Sequence, residues 1–204
     1  MLIKTVNFYI DGFNFYFGLR SKGWKKYYWL DIVKFCGSFL NEDQQLGMVF
    51  YFTAVQKDIG KKDRQDLLFS ANKLNPRFKL VFGKFLAKKI KIEGGYHKTF
   101  EEKQTDVNIA VEMIRNVVFK KADISILISA DSDLIPPLHL IRELNSEHKI
   151  YCHFPPKRNS ADLTNYADAV IHLEHYEKRF KESLLKDEIE LANGFIIRKP
   201  ENWI

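Results

Sequence analysis

The stretch ISILISADSDLIPPLHLIREL, residues 124–144, indicates a buried strand that runs directly into a helix. Its first five residues are apolar apart from one serine, which is typical of a strand covered on both faces. Pro136 and Pro137 lie in the first turn of the helical segment, where a missing backbone N–H costs little. Asp131 and Asp133 stand at the junction, so the stretch predicts acidic side chains at the carboxyl end of a strand.

The same alternation of strand and helix patterns extends along most of the chain. Strand patterns cover residues 6–10, 48–55, 78–92, 149–154 and 169–173. The third of these is either one strand or two strands broken near Gly83. Helix patterns cover residues 31–40, 61–74, 105–119, 160–167 and 175–189. Such alternation favours a mostly parallel sheet with helices on both faces. We therefore expect an α/β, Rossmann-like three-layer domain over residues 1–174 and a C-terminal helical extension over residues 175–204.

The clearest helix pattern, residues 105–119, carries apolar residues at helical spacing. They are Val107, Ala110, Val111, Ile114 and Val118. This spacing predicts an amphipathic helix with these residues as its apolar stripe. Asp106 near its start is an ordinary residue for that position, because a negative charge complements the helix dipole there.

The composition is that of a globular domain rather than a fibrous or disordered chain. Of the 204 residues, 46% are hydrophobic and 28% are charged, which is close to the globular averages. No apolar run reaches the length of about 18 residues that a membrane-spanning helix needs. The N-terminus lacks the apolar block of a signal peptide. Cys36 and Cys152 are too few for a disulfide framework, so we expect buried thiols and a cytoplasmic location.

Positive charge is concentrated in one stretch of the chain. The formal net charge is +6, and residues 77–103 contain eight basic and three acidic residues. A basic surface attracts polyanions such as nucleic acids. Lysines on a solvated strand edge also suppress aggregation, and the stretch by itself fits both interpretations.

Four aspartates stand where strands of such a sheet end or where a helix begins. They are Asp11, Asp106, Asp131 and Asp133. Ligands of open α/β sheets bind outside the carboxyl ends of the strands, so these carboxylates could meet at one edge. Clustered carboxylates repel one another unless a cation lies between them, and Mg²⁺ prefers such oxygen ligands. Taken singly, each aspartate is also explained as a helix cap or a turn residue.

Four aromatic residues follow Asp11 within a few positions. They are Phe13, Phe15, Tyr16 and Phe17. Exposed aromatic side chains stack on the bases of single-stranded nucleic acids, so one of these residues could be a platform. The more ordinary interpretation is that most of them pack the first helix against the sheet.

Three runs of the sequence together resemble a known family. They are YIDGFNFYFGL at residues 9–19, EKQTDVNIAVEMI at residues 102–114 and LISADSDLIPPLHLIREL at residues 127–144. With the motifs D-G-x-N, E-K-x-x-D-V and S-A-D-S-D, they resemble the NYN domain, in the LabA-like branch of the PIN-like nuclease superfamily. Ala130 stands where the family more often has glycine, and the resemblance covers roughly residues 4–173.

The resemblance implies a PIN-like fold and metal-dependent cleavage of RNA, which is favoured over DNA. The catalytic residues that it implies are Asp11, Asn14, Asp106, Asp131 and Asp133. The four aspartates would hold one or two Mg²⁺ or Mn²⁺ ions that activate water for attack on a phosphodiester, and Asn14 and Ser129 would orient carboxylates or substrate oxygens. The lysines expected to contact the nucleic-acid backbone are Lys84, Lys88, Lys89, Lys91, Lys98 and Lys103. PIN-like domains commonly dimerise, so a homodimer is a further expectation.

Three alternatives stay open on the sequence. A Toprim-like domain also uses a D-x-D pair, here Asp131 and Asp133, but its first strand should end in glutamate, where this chain has Asp11. A non-catalytic PIN-like module that binds RNA or a protein would use the same fold without cutting. A toxin-like nuclease blocked by a partner has no sequence feature that separates it from a housekeeping ribonuclease.

Overall fold

The computed structural model describes residues 2–92, 95–191 and 193–203, with the side chains of residues 90, 92 and 98–101 left outside the description. Its strands are β1 (Lys4–Asp11), β2 (Gln44–Thr53), β3 (Phe78–Phe82), β4 (Lys84–Ile92), β5 (Gly95–Lys103), β6 (Ile124–Ile128), β7 (Lys149–Phe154), β8 (Ala169–His172), β9 (Glu188–Glu190) and β10 (Ile196–Arg198). Six of them form a parallel sheet in the order β3-β2-β1-β6-β7-β8.

Helices cover both faces of this sheet. They are α1 (Gly12–Ser21), α2 (Ile32–Gly37), α3 (Ile59–Asn72), α4 (Thr105–Val118), α5 (Ile135–Leu144), α6 (Ala161–Tyr166) and α7 (Glu177–Glu182). The core on one face includes side chains from α1, α2, α3 and α7, and the core on the other includes side chains from α4, α5 and α6. The predicted three-layer α/β fold is therefore confirmed. Within the described part of the chain, no helix is long and apolar enough to cross a membrane.

The central strand β1 shows why this sequence forms a two-sided sheet. Val6, Phe8 and Ile10 belong to one core, whereas Tyr9 belongs to the opposite core. Successive side chains of a strand point to opposite faces. An unbroken apolar run therefore buries both faces, as parallel sheets require.

The strand order reverses between β1 and β6, and this reversal positions the functional site. The chain winds from β1 through β2 to β3 in one direction, and then from β6 through β7 to β8 in the other. Such a switch point opens a crevice at the carboxyl ends of the two central strands. Ile10 pairs with Ile128 across these strands, so Asp11 and Ser129 follow side by side.

The strand β5 is an element that the sequence patterns did not predict. It pairs with β4 in a separate antiparallel hairpin, from Lys84 opposite Lys103 to Ile92 opposite Gly95. Nine residues in each strand make an arm about 30 Å long. The break near Gly83 is present, and residues 93 and 94 of the turn lie outside the described residues.

The predicted apolar stripe of α4 is only partly buried. Val107, Val111 and Val118 are 63%, 58% and 53% exposed, whereas Ile109 and Met113 are fully buried. The helix has two apolar rows, and its packing against α5 buries the row that includes a polar Asn116. The sequence pattern singled out a purely apolar row that the structure buries only in part, because Ala110 and Ile114 are half-buried and Ile114 packs against the core.

The C-terminal extension is less helical than predicted. Instead of a helix over residues 175–189, the chain forms the six-residue α7 and then the antiparallel pair of β9 and β10. The carbonyl of Ser183 accepts a hydrogen bond from the backbone N–H of Asp31 at 2.8 Å, and Leu184 pairs with Leu30 in an isolated bridge. These tertiary bonds take the backbone groups that a longer helix would use.

Helix α1 lies close against the sheet at Gly12. A Cβ added there would lie 2.5 Å from the Tyr51 ring and 2.6 Å from the Phe52 carbonyl oxygen. We expect Gly12→Ala to lower the free energy of unfolding by about 1–3 kcal/mol, because overpacking forces the surrounding structure to shift. Chemical denaturation measures this loss. The matched control is Gly37→Ala, whose Cβ would be 3.8 Å from its nearest neighbour, and equal effects of both changes would contradict the account.

Candidate metal centre

Asp11 is the most buried acidic residue of the site, and both of its carboxylate oxygens accept hydrogen bonds from the protein. It is the last residue of β1 and caps α1, where its Oδ1 accepts the backbone N–H of Asn14 at 3.0 Å. Its Oδ2 accepts the hydroxyl of Ser129 at 2.9 Å. These two hydrogen bonds fix the carboxylate at the end of the central strand, where only 5% of the residue is exposed.

The turn after β6 is tied to the same place. Asn14 Oδ1 accepts the backbone N–H of Ala130 at 3.3 Å, and Ser129 Oγ accepts the N–H of Asp131 at 3.1 Å. Asp131 in turn accepts the N–H of Asp133 at 3.0 Å through its Oδ1. The two polar side chains that the sequence analysis placed beside the carboxylates thus join the ends of β1 and β6.

Asp106 reaches the site from the start of α4. The helix begins after Gln104, whose backbone is left-handed with φ 78°. At Gly83 a Cβ would lie 2.6 Å from Thr105 Oγ1 and 2.7 Å from the Lys103 carbonyl oxygen. The beginning of α4 therefore lies directly against the junction of β3 and β4, and this close contact brings Asp106 to the sheet edge.

Three of the four predicted aspartates meet. Asp11, Asp106 and Asp131 each offer one carboxylate oxygen, and these oxygens all lie within 4.8 Å of one another. Asp133 is outside this group, but its negative charge contributes to the raised pKa of Asp106. The structure places no other described histidine, cysteine or acidic residue in such a cluster.

Burial and mutual repulsion disfavour the ionised forms of these carboxyl groups. Burial, and then the charges of Asp106 and Asp131, raise the pKa of Asp11 to about 6 in spite of its hydrogen bonds. Desolvation and the charges of Asp131 and Asp133 also raise the pKa of Asp106. Each carboxylate thus makes it harder to ionise its neighbours, as expected of like charges that share one site.

Glu102 is a carboxyl group beside this cluster, and the sequence analysis did not assign it. Burial, and then the charges of Asp11 and Asp106, raise its pKa to about 8. Its Oε1 is buried and has no hydrogen-bond partner among the described residues. The signal was present in the sequence, because Glu102 opens the E-K-x-x-D-V motif that contains Asp106.

The chain is similar to a known protein family over most of its length. The family model of the NYN domain matches residues 5–174. The chain belongs to the NYN domain family. NYN domains are generally nucleases, whereas the narrower LabA-like assignment stays a prediction. No curated protein matches the chain.

A solved structure shares the fold of this NYN domain. It is the crystal structure of a protein of unknown function from Vibrio parahaemolyticus, with a TM-score of 0.57 and 15% sequence identity. The match covers 83% of this chain and 93% of that chain. At this identity the likeness concerns the fold alone.

The donor set of this NYN domain fits a hard divalent cation. All the clustered ligand atoms are carboxylate oxygens, which suit Mg²⁺ or Mn²⁺. An orphaned carboxylate oxygen on Glu102 and two aspartates with raised pKa values are the features that a bound cation would relieve. Both cysteines are buried, and neither belongs to this cluster of ligands. The centre is therefore a carboxylate site and not a thiolate site.

The predicted lysines lie on the hairpin beside this centre. Lys84, Lys88, Lys89, Lys91 and Lys103 are exposed, and the side chain of Lys98 lies outside the described residues. Strand alternation puts Lys89 and Lys91 on the same face as Phe85, which is paired with Glu102. Lys84 and Lys88 are on the opposite face, so the hairpin presents two lysines on the side of the metal centre.

Proposed function

We propose that this NYN domain is a metal-dependent ribonuclease that hydrolyses phosphodiester bonds of single-stranded RNA. The observation that carries the proposal is the meeting of three carboxylate oxygens within 4.8 Å at the carboxyl edge of the sheet. The preference for RNA over DNA follows from the resemblance of the three sequence motifs to those of RNA-cleaving relatives.

Each residue of the centre has a part in this proposal. Asp11, Asp106 and Asp131 would hold Mg²⁺ or Mn²⁺, with Asp133 as a fourth ligand or one that acts through a water. When bound, the cation supplies a Lewis acid that activates water and offsets negative charge on the phosphodiester. Asn14 and Ser129 keep the Asp11 carboxylate oriented toward the other acids through the bonds described above.

Glu102 adds a carboxyl group that exchanges a proton near neutral pH. Because its pKa is raised to about 8, the group is largely protonated at neutral pH when no cation is bound. In the carboxylate form, which a neighbouring positive charge would favour, Glu102 would accept protons or hydrogen bonds beside the reacting phosphodiester. Its position opposite Phe85 on the hairpin couples the arm to the centre.

The test is a cleavage assay on labelled single-stranded RNA and matched DNA. The purified protein is incubated with Mn²⁺, with Mg²⁺ or with EDTA. The proposal predicts cleavage of RNA in the presence of either cation, less cleavage of DNA, and none in EDTA. If RNA binds and remains intact under all conditions, the non-catalytic binding module is the better account.

The hairpin lysines give a prediction about binding. We expect Lys89→Ala/Lys91→Ala to weaken RNA binding and to lower the slope of log affinity against log salt by about 0.7 for each phosphate contact removed. Fluorescence anisotropy at several salt concentrations measures both quantities. The matched control is Lys120→Ala/Lys121→Ala, beyond the opposite end of α4, and equal losses in both double variants would remove the hairpin from the proposed path.

Three further parts of the proposal concern the whole chain. We place the nuclease domain in residues 1–174 and treat residues 175–204 as an appended element. We place the protein in the cytoplasm, where the buried thiols of Cys36 and Cys152 stay reduced. We also propose a homodimer, because association through α4 would cover the exposed stripe of Val107, Val111 and Val118. Light scattering of the purified protein gives its mass directly.

A further inference from the structure

An open groove of about 460 Å³ adjoins the metal centre on the side of α1 and α3. Its lining includes Gly12, which directly follows Asp11, and Glu102, so the groove is adjacent to the carboxylates. Sites for small organic ligands occupy about 300–1,000 Å³. The groove is therefore large enough for a nucleotide beside the metal centre.

Aromatic side chains line the groove and follow one another away from the centre. Phe13 lies edge-to-face with Phe85 of the hairpin, with ring centroids 5.6 Å apart, and stacks with Phe17 at 6.4 Å. Tyr16 contacts Phe17 at 5.3 Å. These rings thus form a continuous ridge from the hairpin along α1.

Packing of α1 does not explain this ridge. Phe15, which points from α1 into the sheet, is only 4% exposed. Phe17 and Tyr16 remain 39% and 37% exposed, and both line the groove. The interpretation that most of these aromatic residues pack the first helix holds for Phe15, whereas Tyr16 and Phe17 keep more than a third of their surface exposed.

Cations lie along the same groove. Arg20 at the end of α1 and Lys61 and Arg64 in α3 line it. None of the three forms an ion pair with a described residue. The groove therefore combines flat apolar rings with positive charge, which is complementary to the bases and phosphates of one nucleic-acid strand.

One polar side chain that lines the groove, Gln65, is already hydrogen-bonded within the protein. Gln65 accepts the backbone N–H of Gln56 at 3.1 Å and donates to the Ala54 carbonyl at 3.2 Å. These bonds hold the loop after β2 instead of facing a ligand. The rings and cations that line the groove would bind by stacking and charge, both of which tolerate any base.

We propose that the groove is a base-stacking subsite for the nucleotides that flank the scissile phosphate in single-stranded RNA, with Phe17 as its main platform. The bases of a duplex are already stacked and paired, so the subsite selects single strands without selecting sequence. This inference rests on the proposed function, because it assigns the groove to the substrate of the same centre.

The test measures binding in EDTA, where no cleavage occurs. The probes are a labelled single-stranded RNA and a strand of equal length whose bases are replaced by abasic sites. We expect Phe17→Ala to weaken binding of the RNA about tenfold, the scale of losing one stacked base, and to leave the abasic strand unaffected. Phe17→Trp should retain the affinity. Phe119→Ala, which removes a ring that is 64% exposed at the far end of α4, should change neither.

The outcomes separate this inference from the nuclease proposal. The subsite proposal is wrong if the wild-type protein binds both strands equally, or if Phe17→Ala binds RNA as well as the wild type does. The exposed rings of α1 would then be better explained as a contact for a protein partner. Cleavage by the wild type in that case would still uphold the nuclease. If Phe17→Ala loses RNA affinity while no protein cuts RNA with Mn²⁺, the subsite stands and the nuclease proposal fails.

Discussion

Replacing Asp11 with asparagine should abolish metal-dependent cleavage of RNA and, at the same time, stabilise the metal-free protein. Cleavage should fall by at least about 10²–10³-fold, the scale of losing one preorganised charge-stabilising group. Asparagine still caps a helix and can still accept the hydroxyl of Ser129. The free energy of unfolding should rise, because the variant removes a buried charge whose pKa is raised to about 6 by burial and by neighbouring acids.

The opposite signs of these two effects distinguish a metal site from a structural cap. The matched control is Asp31→Asn, because Asp31 caps α2 through the backbone N–H of Lys34 at 2.9 Å and lies outside the carboxylate cluster. Cleavage rates and thermal melts in EDTA should be nearly unchanged in that variant. If Asp11→Asn cuts RNA at the wild-type rate, the centre described here does not perform the reaction.

Without a divalent cation, the stability contributed by Glu102 and Asp11 should fall as the pH rises. The folded pKa values, about 8 for Glu102 and about 6 for Asp11, lie above the ordinary values of these groups. Between the ordinary pKa and the raised pKa of each group, the folded state therefore binds more protons than the unfolded state. The free energy of unfolding decreases as the pH rises through that range. For Glu102 the window extends from its ordinary value of 4.5 to about 8.

Melting temperatures in EDTA from pH 5 to pH 9 measure this decrease, and Glu102→Gln should flatten it above pH 6. Added Mn²⁺ should reverse the trend, because cations bind deprotonated carboxylates. At a cation concentration of 100 times Kd, the stabilisation should reach about 2.7 kcal/mol. An identical pH profile in wild type and Glu102→Gln would show that this carboxyl group is not perturbed as the structure indicates.

The parts of the fold that the sequence predicts are those encoded locally. The run of residues 124–128 buries both of its faces wherever it is placed in a parallel sheet, so its pattern identifies a strand without knowledge of its neighbours. Asp11 and Asp131 follow two such strands. Because parallel strands end at the same edge of the sheet, their meeting could be expected from sequence.

Tertiary packing decides what the sequence leaves open. The β1–β6 switch point depends on strand order, which no local pattern contains. Both apolar rows of α4 are compatible with an amphipathic helix, and packing of α4 against α5 and the central strands β1 and β2 buries Met113 and not Val111. Glu102 was missed because its role depends on the pairing of β5 with β4, which turns a polar strand residue toward the centre.

The central claim, that Asp11, Asp106 and Asp131 hold a divalent cation, is tested most directly by titration calorimetry with Mn²⁺. This measurement does not depend on knowing the natural RNA. At pH 8, the wild-type protein should bind one or two ions, and Asp11→Asn/Asp131→Asn should bind them at least about 10–100-fold more weakly, since even indirect partners of a metal contribute that much. Equal affinity and equal stoichiometry in the two proteins would contradict the account.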